Sequence, residues 1–278
     1  MFNNKAMLVD LTISMWTGHK FDQVVSESAA ANFNASNDAG RYNKTLIDKK
    51  LLKPITSKRT ELETYHKDNT AIWFKNGGRL LPSINYMTYT GEMRRLKNAY
   101  IAEVETFLQE YPAAVQQAQK TLGNMYNADD YPTTQELRKK FDVIVDITPL
   151  PDIPDVRITM MNEIADEAIE AMKETYARKE NSVVQESFKR ARDVVSKMYD
   201  TLKDPEKIFR DSLVSNIETI TELLPALNLT ADPTLTEAIG LMKSYLIVSP
   251  QELRDNPVFR AQTSLHAARI LNKLNGQT

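Results

Sequence analysis

The feature that most constrains this fold is a stretch from about Met160 to Leu202 that contains neither proline nor glycine. Apolar residues in its second half recur at alternating spacings of four and three, as in a heptad seam. The members of this seam are Val184, Phe188, Ala191, Val195, Met198 and Leu202. The pattern predicts one long helix, or two that break near residues 181–182. We expect the seam to pack against the helices that follow, with binding of a partner helix as the alternative.

Polar-proline pairs punctuate the chain after this stretch. Asp, Ser or Asn suits a helix start because its side chain accepts a free N–H, and proline is tolerated in the first turn. Such pairs occur at Asp204-Pro205, Asp232-Pro233, Ser249-Pro250 and Asn256-Pro257, and Gly276 follows the last predicted helix. The C-terminal half is therefore predicted to be entirely helical.

Two segments alternate apolar and polar residues, at 7–16 and 141–148. Period-two alternation is typical of strands with one buried face, so we predict that they pair in a small antiparallel sheet. Residues 156–159 are a further strand candidate. The expected fold class is α+β, mostly α: a small antiparallel sheet in a helical N-terminal half, followed by an all-helical C-terminal half with a long helix. Three prolines between 149 and 154 place the domain boundary, giving domains 1–159 and 160–278.

Helical periodicity also marks the N-terminal half. It predicts helices at 20–34 and from Gly91 onward, the second of which Pro112 breaks or restarts. Pro54 suits the first turn of a helix and predicts one at 54–69. Thr133 and Glu136 have the spacing of a capping box.

Residues 73–91 combine several aromatic rings with Gly77-Gly78 and Pro82. Adjacent glycines predict a backbone that turns tightly through positive φ angles. We interpret the segment as a loop that docks on the core and clasps the N-terminal half, with Trp73 and its neighbours buried against the sheet or the first helices. In the competing interpretation the rings are exposed and form a contact surface.

The overall charge argues against a strongly basic nucleic-acid binder, because the formal net charge is −2 and the pI is about 6.0. The absence of cysteine excludes disulfides and cysteine nucleophiles and favours a reducing cytoplasm. The sequence begins without a signal-peptide pattern, and no apolar run approaches the roughly 18 residues of a membrane helix. We expect a cytoplasmic protein that does not enter a membrane.

Catalytic motifs are missing from the sequence: it contains no phosphate-binding loop, dinucleotide-binding turn or zinc-hydrolase signature. His19 and His66 lie three and two residues before an aspartate, a spacing that a base and its orienting carboxylate can use. Solvated or capping histidines are the favoured interpretation. Asp129-Asp130 and Asp142 likewise suit loop acids better than a cation site. We predict that the protein is not an enzyme and holds no metal or cofactor.

Basic side chains and aromatic rings are interleaved between residues 73 and 97. A groove for single-stranded nucleic acid uses cations for phosphates and rings for bases. The candidate partner- or nucleic-acid-binding residues are Trp73, Lys75, Arg79, Tyr89, Arg94, Arg95 and Lys97. The favoured interpretation remains a docked loop followed by a solvated helix face, because Glu92, Glu103 and Glu105 lie among the cations.

Five blocks carry a resemblance to a known family. They are VDLTISMWTGHKFD (9–22), DAGRYNKTLI (38–47), WFKNGGRLLPSINYMTYTGEMR (73–94), LQEYP (108–112) and NADDYPTTQELRKKFDVIVDITPLPD (127–152). Together they resemble an uncharacterised family of bacteriophages, plasmids and other mobile elements, catalogued only as a domain of unknown function. The resemblance covers about residues 7–160 and implies no catalytic residue. It implies a genetic neighbourhood with a MoxR-like AAA+ ATPase and a von Willebrand A-type protein, or with recombination genes.

The function expected from these observations is a non-enzymatic binding or scaffold protein of a bacteriophage or mobile element in the host cytoplasm. Its partner would be a protein, with an AAA+ ATPase as one candidate, or a second copy of the chain. The alternative is a nucleic-acid-binding protein that binds or anneals single strands in recombination.

Overall fold

The computed structural model describes residue 2 and residues 4–74, 77–150 and 162–276, with side chains in the last range from residue 170 onward. Contacts divide the chain into two units. The first comprises Met1–Asp10, Lys67–Tyr89 and Asp146–Thr278, and the second comprises Leu11–His66 and Thr90–Val145. The domain boundary predicted at residue 159 lies outside the described residues, and that division stays a prediction.

The strands are β1 (Ala6–Ser14), β2 (His19–Phe21), β3 (Asn43–Thr45), β4 (Ala71–Phe74), β5 (Gly77–Pro82) and β6 (Asp142–Pro149). A four-stranded antiparallel sheet has the order β4-β5-β1-β6, and β2 pairs with β3. The predicted pairing of the two alternating segments is therefore confirmed as β1 beside β6. The strands β4 and β5 are additions to the predicted sheet. The strand candidate at residues 156–159 lies outside the described residues.

The helices are α1 (Gln23–Asn32), α2 (Lys53–Asp68), α3 (Tyr86–Leu122), α4 (Thr134–Arg138), α5 (Asn162–Leu202), α6 (Ser212–Leu227), α7 (Pro233–Tyr245), α8 (Pro250–Asp255) and α9 (Pro257–Asn275). The structure is 66% helical, so the predicted α+β, mostly α class is confirmed. The helix α5 is continuous, and α4 begins with the predicted capping box of Thr133 and Glu136. Within the described ranges, no helix combines the length and the hydropathy needed to cross a bilayer.

Two predicted helix starts are wrong at their first residues. Lys20 and Phe21 belong to β2, because they pair with β3. The helix α1 begins after Asp22, whose side chain caps it by accepting a hydrogen bond from the backbone N–H of Val25. The helix α3 begins at Tyr86 instead of Gly91 and continues through Pro112. Its buried face already starts at Tyr89. Pro112 is exposed, and because proline has no N–H, the carbonyl oxygen one turn before it accepts no hydrogen bond from residue 112.

The start predicted at Asp204-Pro205 for the next helix is also wrong, because that helix, α6, begins only at Ser212. Asp204 instead forms a local turn in which its carboxylate accepts from the backbone N–H of Glu206 at 3.0 Å. The guanidinium of Arg260 donates to the carbonyl oxygens of Asp204 and Lys207. These bonds hold the segment in a non-helical course.

The core of the first unit is built on the heptad seam of α5, which packs against α6 and α9. All seam residues from Phe188 to Leu202 are buried in this cluster, and Val184 packs against it. Their partners include Ile217, Leu224, Ile239, Ile270 and Leu274. Intramolecular packing of the seam, the favoured prediction, is therefore confirmed.

The second unit has an aromatic core. Trp16, which follows β1, packs edge-on against Tyr111 with ring centroids 5.9 Å apart, and Phe107 contacts both rings and Phe141. The Tyr100 hydroxyl donates to the carbonyl oxygen of Ser14 at 2.7 Å. Burial raises the pKa of Tyr100 to about 12, so this phenol stays a donor at neutral pH.

Candidate functional site

The segment predicted to be a docking loop is a β-hairpin in its first part. The strands β4 and β5 pair with Ala71 opposite Leu80 and Phe74 opposite Gly77. Gly77 and Gly78 have φ angles of +144° and +24°, so the predicted positive φ is confirmed. The alternation of buried and exposed residues in β4, followed after two residues by two glycines, is a hairpin signal that the loop interpretation missed.

Trp73 and Tyr89 are buried, with 4% and 1% of their surfaces exposed. The Trp73 ring lies edge-on to Tyr176 of α5, with centroids 5.6 Å apart, and 6.5 Å from Phe2. Burial of these two rings fits the clasp interpretation, although the long helix α5 supplies the packing surface for Trp73. Phe74 is different, because its ring is 45% exposed.

The exposed Phe74 ring is in contact with the side chain of Lys179. The Lys179 ammonium lies 3.7 Å from the Phe74 centroid and 5.2 Å from that of Trp73, within the range of a cation–π contact. Burial lowers the pKa of Lys179. Lys75, the next residue in the sequence, lies outside the described residues, and its predicted role is not tested.

Arg79 is committed to contacts within the first unit. Its guanidinium donates to the Thr70 hydroxyl at 2.6 Å and to the Thr70 carbonyl at 2.8 Å, and it lies 3.5 Å from the carboxylate of Glu186. Burial lowers the pKa of Arg79, while the Glu186 charge raises it. These bonds assign Arg79 a structural task, because a phosphate contact would have to compete with them.

The other predicted cations lie in the second unit, on α3. Arg95 forms an ion pair with Glu92 at 2.6 Å, and Lys97 donates to the carbonyl oxygen of Val143 at 2.6 Å. Arg94 is exposed. The predicted binding set is thus divided between two units, and its role in binding stays a prediction.

A groove that the sequence did not indicate lies within the first unit. It has a volume of about 800 Å³, and α5, α6, Ile72 of β4 and residues 67–68 line it. Its apolar lining consists of Ile72, Val194, Ile220 and Leu223. Its charged lining consists of Lys67, Asp68, Glu186, Lys189, Arg190, Arg192 and Asp193. We call this feature the α5–α6 groove.

One wall of the α5–α6 groove is fixed by Glu186 and Arg190, which form an ion pair at 2.6 Å on α5. Arg190 also donates to the carbonyl oxygens of Lys67, Asp68 and Thr70 at 2.8–3.0 Å. Glu186 accepts from the backbone N–H of Ile72 at 2.7 Å. The bonds from Glu186 and Arg190 to residues 67–72 join positions more than 110 residues apart, so local sequence spacing holds no signal for them.

A buried charge cluster lies in the second unit. The Lys44 ammonium contacts Asp130 at 2.5 Å and Asp22 at 3.1 Å, and Lys20 contacts the other oxygen of Asp130 at 2.8 Å. A hydrogen bond to Asp130 raises the pKa of Lys44. Burial raises the pKa of Asp130, but the bonds from Lys20 and Lys44 outweigh it, so the pKa lies below its ordinary value.

The carboxylate of Asp130, which the sequence analysis considered as a metal ligand, instead contacts the ammonium groups of Lys20 and Lys44. Among the described residues there is no group of three or more His, Cys, Asp or Glu side chains that could hold a metal ion. His19 is exposed, as favoured, with Nδ1 3.4 Å from the Thr45 hydroxyl. His66 is buried, so the solvated interpretation is wrong for that residue.

Comparison with known proteins identifies no relative: no protein-family model matches the chain, and no curated protein or solved structure is significantly similar to it.

Proposed function

We propose that this chain is a non-enzymatic binding or scaffold protein that docks a protein partner in the α5–α6 groove. The observation that carries the proposal is the groove lining, in which apolar side chains lie among charged ones. Ile72 is 44% exposed there, and Val194, Ile220 and Leu223 are only partly buried. An apolar patch with a polar border is typical of protein–protein contact surfaces.

The chemistry of the wall supports binding over catalysis. Arg190 and Glu186 are engaged with backbone carbonyls and with a backbone N–H, so their charges hold the groove in shape. A preformed groove loses less conformational entropy when a partner binds, which favours affinity.

The biological setting of the proposal rests on the resemblance of residues 7–160 to the family of mobile elements. We place the protein in a bacteriophage or mobile element, in the host cytoplasm, as an accessory to a MoxR-like AAA+ ATPase. Self-association through the same groove is the other form of this function.

Affinity capture of the full-length chain from host cells carrying the element, followed by titration of each purified partner, tests the proposal. We expect a partner that binds the native chain and Lys197→Glu, but binds Lys189→Glu more weakly. Both lysines are exposed on α5, and only Lys189 lines the groove, so Lys197→Glu is a matched control. Equal affinity for both variants would refute the groove as the functional site, and turnover in a broad substrate screen would refute the non-enzymatic role.

The single-strand alternative stays a prediction. Its proposed stacking rings, Trp73 and Tyr89, are buried, so bases could stack on them only after the core opened. Fluorescence anisotropy with labelled single strands at two salt concentrations tests it. Tight, salt-sensitive binding that is lost in Arg94→Glu/Arg95→Glu would place this function ahead of partner docking.

A further inference from the structure

The shape of the α5–α6 groove sets the kind of segment that fits it. Its lining on α5 extends from Ser182 to Val194, and its lining on α6 from Asn216 to Leu223. At 1.5 Å per residue, the α5 side is about 18 Å long. This length matches about three turns of a helix, and two neighbouring helices offer the ridges between which a third can pack.

An added strand fits less well. The strand β4 is at the edge of the sheet, and Ile72 of β4 lines the groove. The backbone N–H of Ile72, however, already donates to Glu186 at 2.7 Å. A strand paired there would have to displace this bond, whereas a helix satisfies its own backbone groups.

The charge of the lining sets the chemistry of the occupant. Among the residues that the structure describes, four cations and three carboxylates line the groove, and Arg190 and Glu186 neutralise each other as an ion pair. Lys67, Lys189 and Arg192 therefore outnumber the two remaining carboxylates, Asp68 and Asp193. Arg192 donates to the carbonyl of Leu274 at 3.3 Å and keeps its charge. An excess of positive charge favours acidic partner residues.

From shape, backbone bonding and charge together, we infer that the occupant of the α5–α6 groove is an amphipathic helix of the partner whose apolar stripe is bordered by acidic residues. The stripe contacts Ile72, Ile220 and Leu223, and the acidic residues face Lys67 and Lys189. This inference rests on the proposed function and specifies its partner.

Synthetic peptides of about 15 residues, the length of a four-turn helix, test the inference directly. One carries leucine at helical spacings of three and four with glutamate on both borders. The second has the same composition in an order that breaks the stripe, and the third has lysine in place of glutamate. Fluorescence anisotropy with the full chain should give binding of the first peptide about threefold tighter than of either other peptide. The second peptide loses the apolar stripe, and the third loses the attraction between glutamate and the groove lysines.

Variants of the full chain locate the binding. Lys189→Glu should lower the affinity for the acidic peptide about threefold or more. Lys197→Glu, on the same helix and outside the groove, should leave that affinity unchanged. Ile72→Thr should also weaken it, because threonine keeps the β-branched shape of the strand residue and removes apolar surface. Circular dichroism of each variant confirms that it is folded.

The inference is overturned if the acidic peptide binds no better than the other two, or if Lys189→Glu binds it as the native chain does. It also fails if cross-linking of a captured partner places a strand or a basic segment in the groove. In that last case the groove still docks a protein, and the proposed function stands. Both the inference and the proposed function fail if a captured partner binds Lys189→Glu with the same affinity as the native chain.

Discussion

Two glycines illustrate how much a single residue controls in this chain. Gly78 has a φ of +24°, and a Cβ at its position would lie 2.5 Å from Phe74 Cδ2 and 2.9 Å from Leu8 Cδ2. Gly240 lies inside α7, and a Cβ there would meet no atom within 4 Å. The sequence alone could assign the turn role to Gly78, because paired glycines beside a strand are typical of a hairpin, but the close contacts are long-range and were not predictable.

Gly78→Ala should destabilise the chain by about 2 kcal/mol, because alanine is strained at this φ and its Cβ must displace two side chains. Gly240→Ala, the control, should stabilise it by up to about 1 kcal/mol through helix propensity. Urea unfolding of both variants measures the difference. A Gly78→Ala midpoint equal to that of the native chain would contradict the assigned backbone strain.

Trp73 and its neighbour Phe74 test the clasp interpretation. Trp73→Ala should cost about 3–5 kcal/mol, because truncating a buried aromatic side chain leaves a cavity. Phe74→Ala should cost clearly less, since 45% of that ring is already exposed. A thermal melt of the two variants separates them, and a Trp73→Ala melt that does not move would eliminate the clasp.

At the scale of elements, the long helix α5 was the most predictable part, because neither proline nor glycine interrupts its heptad seam. The end of α5 at Leu202 agrees with the predicted stretch, but the donor to its last carbonyls was not predictable. Arg260, a buried residue of α9, donates to the carbonyl oxygens of Thr201 and Leu202 in the last turn of α5. The last carbonyls of a helix have no partner within it, so this guanidinium acts as a distant C-cap.

Arg260→Met should destabilise the C-terminal helices by about 3 kcal/mol, because methionine fills similar space and leaves buried carbonyls without a donor. Arg269→Met, an exposed position on the same helix α9, is the matched control and should change stability little. Hydrogen exchange of residues 199–207 should rise in Arg260→Met alone. Unchanged exchange there would argue against the cap.

Across the whole molecule, the predictions that succeeded rest on local information, although some local signals, such as the cap at Asp204, misled. Period-two alternation located β1 and β6, and helix caps located α4, α7, α8 and α9. The α5–α6 groove escaped prediction because its lining joins residues near position 70 to residues of α5 and α6. The buried Lys44 escaped for the same reason, since its partner Asp130 is more than 80 residues away.

The charge cluster around Lys44 makes stability depend on pH. The pKa values of Asp22 and Asp130 are lowered in the folded state, so their contribution is present above the unfolded value of about 4 and is lost as pH falls through the folded values. The raised pKa of Lys44 keeps its charge in place up to alkaline pH.

Lys44→Met should therefore cost about 3 kcal/mol at pH 7, where it leaves a buried carboxylate with fewer cations. The difference from the native chain should shrink as the pH falls below about 4, because the carboxylates become neutral in both proteins. Urea unfolding at pH 7 and pH 3 measures this, with the exposed Lys53→Met as control. A difference that does not depend on pH would exclude the ionic origin.

The long sequence separation of the Arg260 hydrogen bonds also has a consequence for folding during synthesis. The carbonyls that it binds emerge from the ribosome 53–59 residues before it does. At roughly 5–20 residues per second, the segment that follows α5 waits several seconds for its donor. A nascent chain arrested before Pro257 should be cleaved by protease between residues 203 and 211, whereas the released chain should resist. The C-terminal end of α5 is thus capped only when α9 has been made, about a hundred residues after α5 begins.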